Sequence, residues 1–374
     1  MNSFIPVNQP SLDGNEKKYV NECLDTGWIS SEGPFVERFE HEMAALHGVK
    51  YGVSVSNGTA ALELAFGALG LIEGDEVILP SFTIISCLRA VLLTGAKPIL
   101  VDSDPYTWNM SIDEIVQKIT PNTKCILAVH IYGLPVEIKS LIKIAKDKGI
   151  VVIEDVAEAI GLKYNGNLCG SFGDMSIYSF YPNKHITTGE GGMVLTNNKK
   201  YADYIKLYRN ICFIPEKRFY HEDLAPNYRM TNIQAALGLA QLEKLNATVT
   251  KKRFIGELYQ DLLRDFLEIQ LPLSKTPNSE NIYWVFGITL NPEVKHNNEY
   301  FIKEFAKNNI GTRLFFWPMH EQPISKKMDL FINESYPVSE KLGRRGFYLP
   351  SGLTITENEI MTVVKTFKNL LEKA

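Results

Sequence analysis

The chain has 374 residues, 45% of them hydrophobic and 22% charged, which is enough for about two domains of ~150 residues with buried cores. This composition excludes a disordered or collagen-like chain. With 39 basic and 43 acidic residues, the net charge is −4, so nothing indicates nucleic-acid binding, and no apolar run approaches the ~18 residues of a membrane span.

Cysteine usage and the N-terminus both favour a cytoplasmic protein. The five cysteines are an odd number, lie far apart and form no C-x-x-C pair: Cys23, Cys87, Cys125, Cys169 and Cys212. This pattern is typical of reduced thiols and not of a disulfide framework. Residues 1–6 lack a basic segment and an apolar stretch, so we predict no secretory signal.

Histidine and lysine spacing predicts neither a metal site nor a basic patch. His41 and His47 are six positions apart, whereas a zinc-binding helix places two histidines four positions apart. We therefore interpret both as ordinary surface histidines and expect no metal. The basic runs at 199–200 and 251–253 are short, and solvated faces are the preferred interpretation.

Strand and helix patterns alternate along the first part of the chain. Apolar residues with helical spacing come first, at Phe35, Phe39, Met43 and Leu46. Short apolar runs then predict strands over residues 53–56, 76–79, 98–101, 125–130, 150–154, 175–180 and 193–196. Helices are predicted between several of them, over residues 60–69, 86–93, 112–119 and 138–148. This alternation predicts an α/β fold with a mostly parallel sheet covered by helices on both faces.

The pattern changes near Thr231. Residues 231–266 contain no proline and predict one long helix or two joined helices. The remaining chain mixes a predicted strand, 284–290, with predicted helices at 299–308 and 357–372. We predict a large domain over residues 1–244 and a smaller α+β domain over residues 245–374. No Pro/Gly/Ser linker separates them, so we expect tight packing between the two.

A strand that runs into a helix through a small polar turn is predicted at residues 55–62. Backbone N–H groups and the Thr59 hydroxyl, together with Gly58 at the helix N-terminus, would form a site for an anion such as phosphate. In open α/β sheets, ligands bind at the carboxyl ends of strands, where this turn would lie. Serine and threonine also cap helices without binding a ligand, so a structural role stays open.

A second apolar strand ends in acids, at residues 152–158. Asp155 stands where a buried carboxylate must find a cationic partner. A protonated pyridine nitrogen, which an electron-sink cofactor needs to keep positive, is such a partner. An exposed acid at a strand end is the alternative.

The segment 176–192 combines a strand, a single lysine and a threonine–glycine turn. Lys184 lies in a tight loop between apolar strands and is positioned for desolvation, which lowers the pKa of an amine and frees it for Schiff-base chemistry. The glycines would let the backbone approach a flat cofactor. The G-E-G-G run lacks the spacing of a dinucleotide site, and a solvated loop lysine is the alternative.

Together, these segments resemble the DegT/DnrJ/EryC1/StrS family of sugar aminotransferases, which are pyridoxal-phosphate enzymes of fold type I. The matching stretches, in family order, are S-N-G-T-A-A-L (56–62), V-H-I-Y-G (129–133), I-E-D-V-A-E-A (153–159), S-F-Y-P-N-K-H-I-T-T-G-E-G-G (179–192) and N-Y-R-M-T-N-I-Q-A-A (227–236). The flanking regions look alike too, so the resemblance covers essentially the whole chain.

The resemblance implies a role for each matching residue. Lys184 would form the Schiff base with the cofactor and then move a proton, Asp155 would pair with the pyridinium nitrogen, and Glu158 would lie near the phenolic oxygen. The phosphate would be held by Gly58, Thr59 and Ser179, and by Asn227 of a neighbouring subunit. Asn227 therefore implies a homodimer with shared active sites, and a tetramer of two dimers stays open. The expected substrate contacts are His185, Arg229, Arg313 and His320, and packing or surface roles stay open for Arg313 and His320.

Two positions depart from the family pattern. His185 follows the lysine where relatives often carry Thr or Asn. Ile84 stands where many relatives place an aromatic ring over the cofactor, so the stacking partner is open. Phe82 is a candidate for that role, although core packing is the preferred interpretation.

The reaction implied by the resemblance is transfer of an amino group from L-glutamate to C4 of a nucleotide-linked 4-keto-6-deoxy sugar. GDP-4-keto-6-deoxy-mannose is the expected substrate, and O-antigen or a related surface polysaccharide is the expected destination. A dTDP- or UDP-linked keto sugar, aminated at C4 or C3, is the main alternative. Sugar 3-dehydratases of the family carry histidine at the Schiff-base position, where Lys184 stands here. A binding-only regulator would need neither Lys184 nor Asp155.

Overall fold

The computed structural model describes residues 4–214, 217 and 219–372. Residues 1–3, on which part of the expectation about a secretory signal rests, lie outside the described residues. Up to residue 243 the order of elements is α1 (Glu16–Thr26), α2 (Pro34–Leu46), β1 (Tyr51–Val55), α3 (Gly58–Gly67), β2 (Glu76–Pro80), α4 (Ile85–Leu92), β3 (Lys97–Val101), α5 (Ile112–Lys118), β4 (Thr123–Val129), α6 (Ile138–Lys148), β5 (Val151–Asp155), β6 (Lys163–Tyr164), β7 (Asn167–Leu168), β8 (Met175–Ser179), β9 (Gly192–Thr196), α7 (Lys199–Tyr208) and α8 (Asn232–Glu243).

Seven of these strands form one sheet in the order β1-β9-β8-β5-β4-β2-β3. The five strands from β8 to β3 pair in parallel, whereas β9 runs antiparallel to both of its neighbours. The prediction of an α/β fold with a mostly parallel sheet is therefore confirmed. Because parallel strands share one direction, the ends of β4, β5 and β8 lie at the same edge of the sheet.

Helices cover both faces of the large sheet. On β4, Ile126 and Ala128 belong to one core, whereas Cys125 and Leu127 belong to the core on the opposite face. The first core also contains residues from α2, α6 and α8, and the second contains residues from α3, α4 and α7. A strand buried on both faces has no solvent side, which is why its apolar residues run almost without interruption.

After residue 244 the chain builds a second, smaller sheet. The elements are α9 (Leu245–Leu263), β10 (Ile269–Gln270), β11 (Lys275–Thr276), β12 (Ser279–Glu280), β13 (Phe286–Leu290), α10 (Asn298–Lys307), β14 (Arg313–Leu314), a 3₁₀ turn (Met319–Glu321), α11 (Pro323–Lys327), α12 (Pro337–Arg345), β15 (Gly346–Leu349) and α13 (Glu357–Leu371). Four strands pair antiparallel in the order β10-β13-β15-β14. Strands β10, β13 and β15 share a third core with α9, α10 and α13, whereas β14 is exposed.

The proline-free segment 231–266 forms two joined helices, α8 and α9, one of the two predicted outcomes. Thr231 and Gln234 close a capping box that begins α8. Along α9, Leu245 and Val249 pack in a core of the large sheet, and Tyr259 packs in the core of the small sheet. This helix therefore connects the two parts of the molecule directly, without a flexible linker.

Two expectations about surface residues are wrong. His47 is buried, with Nδ1 2.9 Å from the carbonyl oxygen of Met43. Lys252 is buried as well, although Lys251 beside it is exposed, because α9 turns position 252 toward the body of the protein.

All five cysteines are free, as the odd, dispersed pattern predicts, and all five are buried. Within the described residues, no helix has both the length and the apolar character needed to cross a membrane.

Candidate active site

A cavity of about 770 Å³ opens at the carboxyl ends of β4, β5 and β8, at the edge of the sheet where parallel strands place their ligands. Seven of the predicted cofactor- and substrate-binding residues line it: Gly58, Thr59, Asp155, Glu158, Ser179, Lys184 and Arg313. Residues separated by up to 255 positions along the chain thus share one site. Side chains from β14, β15 and the segment just before β13 form the opposite wall.

The N-terminus of α3 forms one end of the cavity. The Asn57 side chain caps this helix by accepting a hydrogen bond from the Ala60 amide at 2.8 Å. A Cβ added at Gly58 would lie 2.8 Å from Cβ of Ser179, so only glycine lets the helix approach the end of β8 this closely. Thr59 and Ser86 place their hydroxyl oxygens 2.8 Å apart in the same wall. The result is a compact group of amide and hydroxyl donors, which suits a phosphate.

Asp155 ends β5 at the floor of the cavity and is 3% exposed. Its carboxylate accepts a hydrogen bond from the Ala157 amide at 3.0 Å and a weaker one from the Cys87 thiol at 3.6 Å. Burial raises the pKa of Asp155, while the Ala157 amide and the charge of Lys184 act in the opposite direction. A cationic group bound in the cavity would stabilise the charged form of this buried carboxylate.

Glu158 and Lys184 face each other across the cavity, with Oε1 and Nζ 3.8 Å apart. The other oxygen of Glu158 accepts a hydrogen bond from the Tyr132 amide at 3.1 Å. Burial raises the pKa of Glu158 to about 7 and lowers the pKa of Lys184, although the attraction between the two charges limits both shifts. The amine also lies 3.8 Å from the centroid of the Trp284 ring, a cation–π contact.

These residues fit the cofactor that the resemblance implies. Pyridoxal phosphate needs donors for a phosphate, an acid for its ring nitrogen and an amine for its aldehyde. The cavity supplies the α3 N-terminus with Ser179, the buried Asp155 and the buried amine of Lys184. Burial lowers the pKa of that amine, which raises the share of its neutral, nucleophilic form.

The remaining candidates lie outside this cavity. His185 is buried behind Lys184. His320 is also buried, with its ring nitrogens 2.9 Å from the Ser81 hydroxyl and 3.2 Å from the Glu340 carboxylate. Asn227 is exposed in the segment before α8, and Arg229 donates a hydrogen bond to Oδ1 of Asn210. The structure therefore does not bring these four residues to the cavity of their own chain.

The aromatic wall of the site differs from the sequence expectation. Phe82 is completely buried, packs against Tyr132 and Phe315, and does not line the cavity, so the core-packing interpretation is confirmed. Ile84 does line it. The aromatic rings that sequence reasoning missed are Trp284 and Tyr348, since nothing in their local pattern distinguishes them from core residues of the small sheet.

Arg89 was missed as well. It lines the cavity and pairs with Glu63, which also accepts a hydrogen bond from the Tyr228 hydroxyl at 2.6 Å. The sequence pattern of α4 predicts only an ordinary solvent-facing helix residue at this position. The fold places this cation at the rim of the cavity, together with Arg313.

Among the described residues, one group has ligand atoms close enough for a metal ion, namely His320, Glu321 and Glu340. Arg344 forms ion pairs with both of these glutamates. The cluster is therefore a charge network held by a cation of the chain itself, and it lies outside the cavity that contains Lys184.

Comparison with known proteins agrees with this geometry. Residues 10–368 match the DegT/DnrJ/EryC1/StrS aminotransferase family. The chain belongs to this family, and it has the α/β fold of its sugar aminotransferases.

Individual relatives match over almost their whole length. A GDP-perosamine synthase of Escherichia coli O157:H7 is 42% identical, covering 97% of each chain. A GDP-perosamine synthase of Vibrio cholerae is 39% identical, covering 98% of this chain and 99% of the relative. The protein Spr1654 of Streptococcus pneumoniae, solved in its PLP form, superposes with a TM-score of 0.92 at 25% identity and 99% coverage of both chains.

Proposed function

We propose that this protein uses pyridoxal phosphate to transfer an amino group from L-glutamate to C4 of GDP-4-keto-6-deoxy-mannose, yielding GDP-perosamine. The observation that carries the proposal is the meeting of Lys184, Glu158 and Asp155 with the α3 N-terminus in one cavity. This combination provides an amine, two buried acids and an anion site. The full-length similarity to two GDP-perosamine synthases supports the choice of sugar and nucleotide.

The chain's own groups have separate tasks in this reaction. The bound cofactor supplies an electron-withdrawing ring and a carbonyl carbon that exchanges amines. Asp155 would keep the ring nitrogen protonated, since its buried carboxylate is stabilised by a positive partner. Nζ of Lys184 would move a proton between the substrate carbon that carries the nitrogen and the cofactor carbon bonded to that same nitrogen. Glu158, whose Oε1 lies 3.8 Å from Nζ, would accept or return the proton of that amine.

The rim of the cavity is suited to a sugar nucleotide. Arg89 and Arg313 provide two guanidinium groups near the opening, and such groups bind diphosphate oxygens in bidentate fashion. Trp284, Tyr348 and Phe316 offer aromatic surface for the sugar or base. A cavity of about 770 Å³ accommodates a cofactor with part of a substrate, and the rest of the nucleotide extends over the rim.

We also propose a homodimer with shared active sites, in which Asn227 reaches the phosphate site of the neighbouring chain. Asn227 is exposed and outside its own cavity, as this role requires. Large apolar side chains are exposed near this segment: Trp28 and Ile29, about half exposed, line a surface cavity with Asn210 and Arg229, and Leu224, three positions before Asn227, is 95% exposed. Exposed apolar side chains of this size favour a protein interface. The free, buried cysteines fit the reducing cytoplasm as the compartment.

The deciding experiment is mass spectrometry of the products formed with pyridoxal phosphate and L-glutamate. GDP-4-keto-6-deoxy-mannose and dTDP-4-keto-6-deoxy-glucose are supplied in parallel, and Lys184→Ala serves as the inactive control. We expect amination of the GDP sugar at C4. Amination of the dTDP sugar alone would refute the substrate while leaving the reaction class, and loss of the C3 oxygen without amination would indicate a dehydratase instead.

A further inference from the structure

A second, much smaller cavity lies directly behind Lys184. It is lined by residues of the 183–185 turn, by Asn8 near the N-terminus and by Lys252 of α9. The volume that a water molecule can occupy in it is about 10 Å³. A space of this size accommodates a single water molecule, provided that polar groups are present to bind it.

Two hydrogen-bond acceptors of the 183–185 turn lack a donor. Nε2 of His185 lies 3.3 Å from the carbonyl oxygen of Ile282, and a carbonyl only accepts, so this nitrogen carries the proton. Nδ1 then has a free lone pair, is buried and has no partner among the described residues. Oδ1 of Asn183 is likewise buried without a partner in this part of the chain. Leaving a buried acceptor without a donor is unfavourable, because the group has lost its hydrogen bonds to water.

Lys252 offers the complementary group. Its side chain is buried, and Nζ donates to the carbonyl oxygen of Ser351 at 2.6 Å. An ammonium group has three N–H bonds, and this one bond uses a single N–H. No carboxylate forms an ion pair with Lys252 within the described residues, and burial lowers the pKa of its amine.

We propose that one water molecule is bound in this cavity, accepting a hydrogen bond from Lys252 and donating to Nδ1 of His185 and Oδ1 of Asn183. This arrangement satisfies both orphaned acceptors with the two protons of one water. The inference rests on the proposed role of Lys184, since the bound water fixes the turn that carries this lysine. Lys252 is thus a positioning residue that acts through the water and never touches the substrate.

The same arrangement places the amine of Lys252 behind the amine of Lys184, on the side away from the large cavity. Burial lowers the pKa of Lys252 to about 7, so its charge changes near neutral pH. The titratable groups that face it are His185, whose pKa is lowered to about 3 by burial, and Lys184. The asparagine, threonine and serine residues around them carry no charge. Lys184 and Lys252 line the same small cavity, so a charge on Lys252 would oppose a proton on Lys184. Glu158 and Asp155 act in the opposite direction and favour that proton.

The first test is a crystal structure of the cofactor-loaded enzyme at a resolution that shows ordered water. We expect a water peak within hydrogen-bond distance of His185, Asn183 and Lys252. A dry cavity, or side chains rearranged to fill it, would overturn the proposal even if the enzyme aminates its sugar. The presence of the water is independent of the substrate, so this result is separate from that of the product analysis.

The second test compares Lys252→Met with Lys251→Met, an exposed neighbour on the same helix. The readout is the pH titration of the visible absorbance of the bound cofactor, which reports the proton at Lys184. We expect the midpoint to move to higher pH in Lys252→Met and to stay unchanged in Lys251→Met. A merely structural role would lower stability without moving the midpoint. If Lys252→Met does not fold, His185→Phe tests the water itself, and retention of the water in that variant would refute its assignment.

Discussion

Nζ of Lys184 lies 3.8 Å from Oε1 of Glu158, and the two side chains are only 11% and 7% exposed. Burial disfavours the charged form of each, whereas their mutual attraction favours it. Burial thus lowers the pKa of the amine and raises that of the carboxyl, which brings the two proton affinities closer together, as a proton-moving pair needs.

Replacing Lys184 with alanine should abolish turnover, a loss of at least ~10²–10⁴-fold, because the group that moves the proton is removed. The visible absorbance of covalently attached cofactor should disappear as well. Amination assays and absorbance spectra measure the two effects, with Lys251→Ala as the surface control. A variant that kept near-normal amination would show that Lys184 is not the reacting amine.

Asp155→Asn keeps the size of the side chain but removes the charge that holds the ring nitrogen protonated. We expect a rate loss of about 10²–10³-fold, similar to the loss of other preorganised electrostatic contacts. The steady-state rate with saturating substrate is the measurement, and circular dichroism checks the fold. Full activity in this variant would exclude the role assigned to Asp155.

Glu158 makes the stability of the cofactor-free protein depend on pH. Its pKa is about 7 in the folded state against about 4.5 when unfolded, so the folded state binds more protons between these values. The free energy of unfolding should therefore fall as pH rises from about 4.5 to about 7. Urea titrations of the wild type and of Glu158→Gln measure this, and the fall should be smaller in the variant. Equal pH profiles would contradict a buried, titrating Glu158.

Glu154, beside Asp155, holds the loop that follows β7. Its carboxylate accepts hydrogen bonds from the amides of Gly170, Phe172 and Gly173 at 2.7–2.8 Å and lies 3.1 Å from Nε2 of His130. Burial acts to raise the pKa of Glu154, but these hydrogen bonds outweigh it and hold the pKa below its ordinary value. The residue is therefore charged at neutral pH and structural in role.

Glu154→Ala should lower the free energy of unfolding by about 3–5 kcal/mol, because one buried and two partly buried amides lose their acceptor and His130 loses its partner. The exposed substitution Asp147→Ala should change it by less than ~0.5 kcal/mol. Urea denaturation at neutral pH compares the two. A small effect of Glu154→Ala would mean that the loop finds other acceptors.

Many of the residues that line the cavity could be predicted from short segments of the sequence. Gly58, Thr59, Asp155, Glu158, Ser179 and Lys184 all lie at strand ends or in the turns that follow them, and the parallel sheet brings those ends to one edge. The place of Arg89, Trp284 and Tyr348 in the site could not be predicted, since each belongs to an ordinary helix or strand pattern. Their place at the cavity follows from the docking of the small sheet and α4 against that edge.

The burial of Lys252 could not be predicted from the sequence either. In sequence it is the middle of a basic run, and only the rotation of α9 turns it away from solvent while Lys251 stays exposed.

The sequence by itself determined the alternation of strands and helices and the family, and it predicted the reacting residues, because these depend on local periodicity and on short motifs. The tertiary structure alone decided which distant side chains complete the cavity and which charges are buried. Burial is a property of what packs against a residue from elsewhere in the chain, and it sets the pKa of Glu158, Lys184 and Lys252.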